Sequence, residues 1–256
     1  MLPAGLSALT RLGEVASRVG STLAGLVYPP ACIACGKATG EPHTLCGRCW
    51  AGMRFIERPF CERLGTPFAV DLGMALVSPA AIADPPVFAR ARAAVRYDDT
   101  ARKLVHRLKY SDRLDLARAL GAAMVRPAAE LAADADVIVP VPLHRLRLWR
   151  RRFNQSMELA RIVAARHRVP CDPGLLARVK RTTPQVGLSR AQRADNLQGA
   201  FRVPDDARPR LEGKRVLLVD DVLTTGATAN AASRALLRGG AAAVDVLAFA
   251  RVVAES

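Results

Sequence analysis

The sequence predicts an α/β protein, a parallel-sheet domain preceded by a small N-terminal metal ribbon. Val137-Ile138-Val139 and Val216-Leu217-Leu218-Val219 are continuous apolar runs, the pattern of buried parallel strands. Each run leads into a polar or proline-bearing loop and then a helical pattern, the strand–loop–helix order of a parallel sheet. Ahead of both, Cys32-Ile33-Ala34-Cys35 and Cys46-Gly47-Arg48-Cys49 pack four thiols into one short stretch.

The 256 residues are enough for one good-sized domain and a small appendage. Half of them are hydrophobic, which supports a core and excludes bulk disorder. The formal net charge of +15 points to anionic partners: phosphates, nucleic acid or a membrane surface. Almost all the positive charge is Arg, with five Lys, and an Arg- and Ala-rich coding bias yields the same balance. Charge alone therefore does not assign DNA binding. Aromatic residues are 5% of the chain, a thin supply of stacking platforms for bases. There is no Walker A sequence, so the chain is not itself a P-loop motor.

Residues 1–27 place Leu6, Leu9, Leu12, Ala16, Val19, Leu23 and Leu26 at helical spacing, with Arg11, Glu14 and Arg18 between them. This is an amphipathic helix that docks on the protein or a partner, not a signal peptide. No stretch is long and apolar enough to span a bilayer, and the expectation is a cytoplasmic protein. Residues 28–66 form the ribbon. Two C-x-x-C knuckles complete a tetrahedral four-sulfur site with no open position, which makes Cys32, Cys35, Cys46 and Cys49 ligands of a structural Zn²⁺. Gly36 and Gly47 suit the tight knuckle turns. His43 stands nearby, but four thiolates already suffice. At Cys61-Glu62-Arg63-Leu64 a third knuckle would need Cys at position 64, which makes Cys61 a remnant. Cys171 reads as a small buried residue. Residues 67–92, with Pro79 and Pro85-Pro86, read as a connector.

The main domain is expected over 93–253. Ala94–Tyr97 is its first strand, followed by helices at about 100–109 and 113–132. Lys109, at the end of the first helix, is either a solvated cation or a phosphate contact. The strand from Val137 must end at Pro140 and Pro142. Leu143-His144-Arg145 follows, then Arg147, Arg150, Arg151 and Arg152, a cluster that is either a solvated basic face or a polyanion site. Asn154 caps a helix running to His167, which offsets the helix dipole. The long polar stretch 185–196 is a mobile linker or a lid, ahead of a strand at Ala200–Val203.

The most informative stretch is Val216–Thr228, VLLVDDVLTTGAT. Hydroxyls, a glycine and a helix N-terminus together suit a phosphate. The acidic pair beside them then suits sugar hydroxyls. The stretch resembles the phosphoribosyl pyrophosphate (PRPP) motif of type I phosphoribosyltransferases. The resemblance implies that Asp220 and Asp221 hold the ribose hydroxyls, and that Thr224, Thr225, Gly226, Ala227 and Thr228 hold the 5′-phosphate. It implies further that Val141, Pro142, His144 and Arg145, with Lys109, receive the pyrophosphate, and that 185–196 closes over the ligand.

The four-cysteine ribbon, LKY at 108–110, PVPLH at 140–144, RRFNQ at 151–155, QVGLSRAQRADN at 185–196 and the PRPP loop occur in that order. Together they resemble the ComF family of competence-associated proteins, also called amidophosphoribosyltransferase-like or GntX-like. Leu64 departs from that family's pattern. The resemblance implies a zinc ribbon joined to a type I phosphoribosyltransferase-like domain, a link to DNA uptake and a helicase-like partner. Two functions follow. The first is an enzyme that binds PRPP with Mg²⁺ and transfers the phosphoribosyl group to an acceptor, releasing pyrophosphate. Thr224 stands where oxopurine salvage enzymes carry an acid, which counts against that reaction. The second is a non-catalytic PRPP or nucleotide module that binds single-stranded DNA or a helicase during uptake.

Overall fold

The computed structural model describes residues 30–42, 44–71, 73–110, 114–144, 148, 153–180 and 197–253. The helix expected over 1–27, His43, the arginines at 145, 147 and 150–152, and the polar stretch 185–196 lie outside them. The chain divides into two compact units, Met1–Trp50 and Ala51–Ser256.

In the first unit, the strand pairing Ala31–Ala38 closes a turn around Cys32–Cys35. The chain then reaches Cys46 and the short helix α1 (Gly47–Ala51), which carries Cys49.

The second unit is built on a four-stranded parallel sheet in the order β1-β6-β5-β2. Its strands are β1 (Ala91–Arg96), β2 (Val137–Pro140), β5 (Arg215–Leu223) and β6 (Ala243–Arg251). Pairing runs from Val137↔Val216 to Pro140↔Val219 on one side of β5. On the other side it runs from Arg215↔Ala243 to Leu223↔Arg251. Before the sheet comes a five-residue helix, α2 (Pro79–Ala83). Between β1 and β2 run α3 (Asp99–Tyr110) and α4 (Leu114–Ala133), and after β2 runs α5 (Gln155–His167). A two-stranded antiparallel hairpin, β3 (Ala177–Arg178) and β4 (Phe201–Arg202), precedes the short helix α6 (Arg208–Leu211). Helix α7 (Ala227–Arg238) connects β5 to β6.

Apolar alternation decides which helix covers which face. Val216, Leu218, Val246 and Ala248 share a buried cluster with Ala232 and Leu236 of α7 and with Phe88. Helix α4 packs against β1 and β6, and α5 against β5 and β2. Each fully buried Leu or Phe stabilises this arrangement by about 1.5–3 kcal/mol. Where α4 meets α5, Gly121 is required: a Cβ there would lie 2.7 Å from Ile162 Cδ1 and 2.9 Å from Ile162 Cβ.

Two strands differ from the sequence expectation. The first begins at Ala91 instead of Ala94. The apolar run expected to end at Val219 continues as strand through Leu223, so both Asp220 and Asp221 are strand residues. Ladder bonds to β6 hold the backbone extended past the apolar run. β6 itself was not anticipated. Its alanines and the charged Asp245 blur the apolar signal, yet Asp245 is buried and held by Arg90 at 2.6 Å. Asn154 caps α5 as expected, accepting the Ser156 N–H at 3.2 Å. His167 does more than face a dipole, since its Nε2 lies 3.0 Å from the Val125 carbonyl oxygen. Among the described residues no helix is long and apolar enough to cross a membrane.

Candidate functional site

The carboxyl ends of parallel strands are where open α/β sheets place their ligands. Here the last four residues of β5 begin with Asp220 and Asp221, and β2 ends beside them. The Val141 N–H donates to the Val219 carbonyl at 2.9 Å, so the loop Val141–His144 leaves the sheet next to the acidic pair. Val141 is buried, while Pro142 and His144 are half-buried. Arg145 lies outside the described residues.

After Leu223 the chain turns through Thr224 and Thr225, both exposed, to Gly226 at φ +81°. That left-handed conformation is open to glycine at no steric cost. Gly226 is the N-cap of α7 and offers no side-chain oxygen to the first turn. The leading N–H groups of a helix carry partial positive charge and look for an acceptor. Exposed hydroxyls beside such a terminus make a receptive site for a phosphate. The turn is anchored from behind, since Asn230 Oδ1 accepts the Val87 N–H at 2.8 Å and the Asn230 N–H donates to the Gly226 carbonyl at 2.8 Å.

The two carboxylates are treated differently. Asp221 is buried, and its Oδ2 lies 3.0 Å from Lys109 Nζ at the end of α3. Asp220 is half-buried; its Oδ1 accepts from Ser156 Oγ at 3.0 Å and from the Asp221 N–H at 2.8 Å. Withdrawal from water and the neighbouring Asp221 charge push the Asp220 carboxyl up to about 7, against the Asp221 N–H, Lys109 and Ser156. The pair therefore offers one carboxylate matched to a lysine and one that holds its proton up to about pH 7. Both can accept hydrogen bonds from a vicinal diol.

Ser156 is a member of this site that sequence reasoning missed. The signal was present, because it follows the RRFNQ segment directly. Two residues earlier, Asn154 Nδ2 donates to the Val141 carbonyl at 3.1 Å. The start of α5 thus holds both the strand-end loop and the acidic pair. Lys109, left open between solvent and phosphate, is found against Asp221.

In the first unit, the sulfurs of Cys32, Cys35, Cys46 and Cys49 lie within 4.8 Å of one another, and Cys35 and Cys46 are 3.7 Å apart. Tetrahedral zinc with bonds of about 2.3 Å places its sulfurs about 3.8 Å apart, so this set fits the ion. The Cys46 N–H also donates to Cys32 Sγ at 3.2 Å. Burial pushes the Cys32 thiol up, but the N–H groups of Cys46, Cys35 and Ala34 outweigh it and bring it down to about 6. Burial and hydrogen bonds to the other three sulfurs push Cys49 up to about 12. Four neighbouring sulfurs cannot all be anionic without a cation between them. With four protein ligands the site is closed, which is the structural type.

Comparison with known proteins agrees with both units. Residues 23–79 match the double zinc ribbon domain, and residues 154–254 match the phosphoribosyl transferase domain. The DNA utilization protein YhgH of Escherichia coli (strain K12) is 31% identical over 227 residues, 87% of this chain and 90% of that protein. Competence protein F of Haemophilus influenzae is 38% identical over 116 residues, 45% of this chain and 50% of that protein. Among solved structures, the glutamine PRPP amidotransferase of B. subtilis is 25% identical and matches 57% of this chain and 30% of its own, with a TM-score of 0.39. The ribbon cysteines, the parallel sheet and the identity along nearly the whole length of YhgH agree: the chain belongs to the ComF/YhgH family, a double zinc ribbon joined to a phosphoribosyltransferase domain.

Proposed function

We propose that this protein binds PRPP with Mg²⁺ at the end of β5 and transfers its phosphoribosyl group to an acceptor. The observation that carries the reading is the acidic pair of β5 followed at once by the Gly226-capped terminus of α7. Asp220 and Asp221 accept the ribose hydroxyls. Thr224 to Thr228 hold the 5′-phosphate against the helix N-terminus. Val141, Pro142 and His144, together with Arg145, receive the pyrophosphate in this reading. In the reaction the bond from the anomeric carbon to pyrophosphate breaks, and pyrophosphate keeps the electron pair. The acceptor's lone pair forms the new bond. Positive charge gathers on the sugar ring as the bond stretches, and the acidic pair beside the ribose is the group that counters it. Ser156 keeps Asp220 aimed at the sugar. Mg²⁺ supplies charge neutralisation on the leaving pyrophosphate. Cysteines at metal-ligand spacing fit a cytoplasmic setting. The test is pyrophosphate release from PRPP and Mg²⁺ with a panel of bases and amines. Release above an Asp221→Ala control is expected, and none with any acceptor overturns the transferase reading.

A second reading, a non-catalytic module that binds single-stranded DNA, is favoured by a groove of about 350 Å³ in which Arg234 and Arg238 stand one turn apart. That spacing and the net charge of +15 suit a phosphate backbone. The names of the relatives point the same way, and a helicase would then be a partner. Binding that falls steeply with salt, and falls again in Arg234→Ala/Arg238→Ala, is the expected outcome. Salt-independent binding overturns this reading.

A further inference from the structure

The ribbon around the four cysteines has a double. The strand pairing Ala31–Ala38 recurs as Phe60–Pro67. The Cys32 N–H donates to the Lys37 carbonyl and the Gly36 N–H to the Cys32 carbonyl, at 2.6 and 2.9 Å. In the same places the Cys61 N–H donates to the Thr66 carbonyl and the Gly65 N–H to the Cys61 carbonyl, at 2.8 and 2.7 Å. Gly36 and Gly65 share a left-handed backbone, φ +78° and +63°. Further along, the bond from Ile33 N–H to the Thr44 carbonyl (3.0 Å) is matched by Glu62 N–H to the Leu76 carbonyl (2.9 Å). Most tellingly, the Cys46 N–H reaches Cys32 Sγ at 3.2 Å, and the Ser78 N–H reaches Cys61 Sγ at 3.2 Å. A five-residue helix then follows each, α1 after Cys46 and α2 after Ser78.

This register pairs Cys32, Cys35, Cys46 and Cys49 with Cys61, Leu64, Ser78 and Ala81. Of the second four, Cys61 alone is of a residue type that ligates zinc through sulfur. Leu64 packs against the hydrophobic cluster, Ala81 is 1% exposed, and Cys61 is fully buried. The Cys61 sulfur instead takes N–H bonds from Leu64 at 3.4 Å and from Ser78. We infer that residues 60–83 are a zinc ribbon that has exchanged its metal for a packed, hydrogen-bonded centre, so that the protein holds a single zinc. The double ribbon of the family implies a second ion, and these residues do not fit it.

The fold shows what stands in for the metal. The Ala91 N–H of β1 donates to the Arg63 carbonyl at 2.8 Å, and a Cβ on Gly65 would lie 2.3 Å from the Ala91 carbonyl oxygen. Arg92 reaches back to the Glu62 carbonyl at 2.8 Å and to its carboxylate at 2.6 Å. The knuckle is thus fastened along the edge of β1. A ribbon supported by a sheet keeps its shape without the ion that a free-standing ribbon needs.

Metal analysis of the full-length protein tests this, without reference to PRPP turnover. Wild type and Cys61→Ala should both carry a single zinc, while Cys46→Ser should carry none. Restoring the ligands with Leu64→Cys/Ser78→Cys/Ala81→Cys should add a second zinc. Two zinc ions in wild type, or loss of zinc in Cys61→Ala, overturns the inference. A triple variant that melts cooperatively yet holds only one zinc overturns the register. Should the triple variant fail to fold, the wild-type and Cys61→Ala counts decide alone.

Discussion

Lys109 Nζ lies 3.0 Å from Asp221 Oδ2, joining the last turn of α3 to the end of β5 across the candidate site. Asp221 is largely withdrawn from water, with 11% of its side chain exposed, and Lys109 is its ion-pair partner there. Removing one member of a buried pair leaves the other uncompensated, and this costs more than the pair contributes. Lys109→Met should therefore destabilise the protein by about 1–2 kcal/mol, while Asp221→Asn in the same background recovers much of the loss. Urea unfolding of the two single variants and the double variant reads the coupling, expected at roughly 1 kcal/mol. Additive losses would show that Lys109 acts elsewhere.

Asp220 gives the free protein a pH dependence of defined sign. The unfolded chain releases this proton near 3.8 and the folded chain at about 7. Between those values the folded state holds a proton that the unfolded state has lost, so rising pH favours unfolding across that window. The stabilising contribution is complete below the unfolded value and is gone above the folded one. Asp220→Asn keeps the acceptor for Ser156 but removes the charge. It should stabilise the protein at pH 8 by on the order of 1–2 kcal/mol, less than the full displacement because the carboxyl is half exposed. Near pH 4 the difference should vanish. The same variant should bind the sugar ligand more weakly, the trade expected of a functional residue. Ser156→Ala removes a donor that favours the ionised form and should move the Asp220 titration, read by carboxyl NMR, to higher pH.

Much of this architecture was legible because its signals are local. The four thiols at 32–49 and the sequence from Val216 to Thr228 each carry their chemistry within a short stretch. What escaped depends on partners distant in sequence. Ser156 looks like an ordinary second residue of a helix until the fold sets it against Asp220. β6 hides behind Asp245, whose burial is possible only because Arg90 returns to meet it. In the second ribbon-like turn Cys61 is the one cysteine, with Leu64, Ser78 and Ala81 at the positions that match the other three. The backbone hydrogen bonds, which do not depend on side-chain identity, carry most of that correspondence, with the Ser78 N–H on Cys61 Sγ beside them.

The contact of Gly121 with Ile162 is a steric claim open to direct test. Both residues lie on helices, α4 and α5, that support the sheet from one side. A Cβ at Gly121 would meet not only Ile162 Cδ1 but also Ile162 Cβ, at 2.9 Å, and that atom cannot swing away. The helices would have to separate. Alanine at a helix interior normally gains up to about 1 kcal/mol over glycine, so the expected result runs against intrinsic propensity. Gly121→Ala should lower stability, and Gly121→Val should cost about 1–3 kcal/mol, the range for overpacking. In an Ile162→Ala background the obstruction is gone and Gly121→Ala should turn from loss to gain. Thermal unfolding of the four combinations measures this sign change. A stabilising Gly121→Ala in wild type would mean that the two helices are not held at this separation.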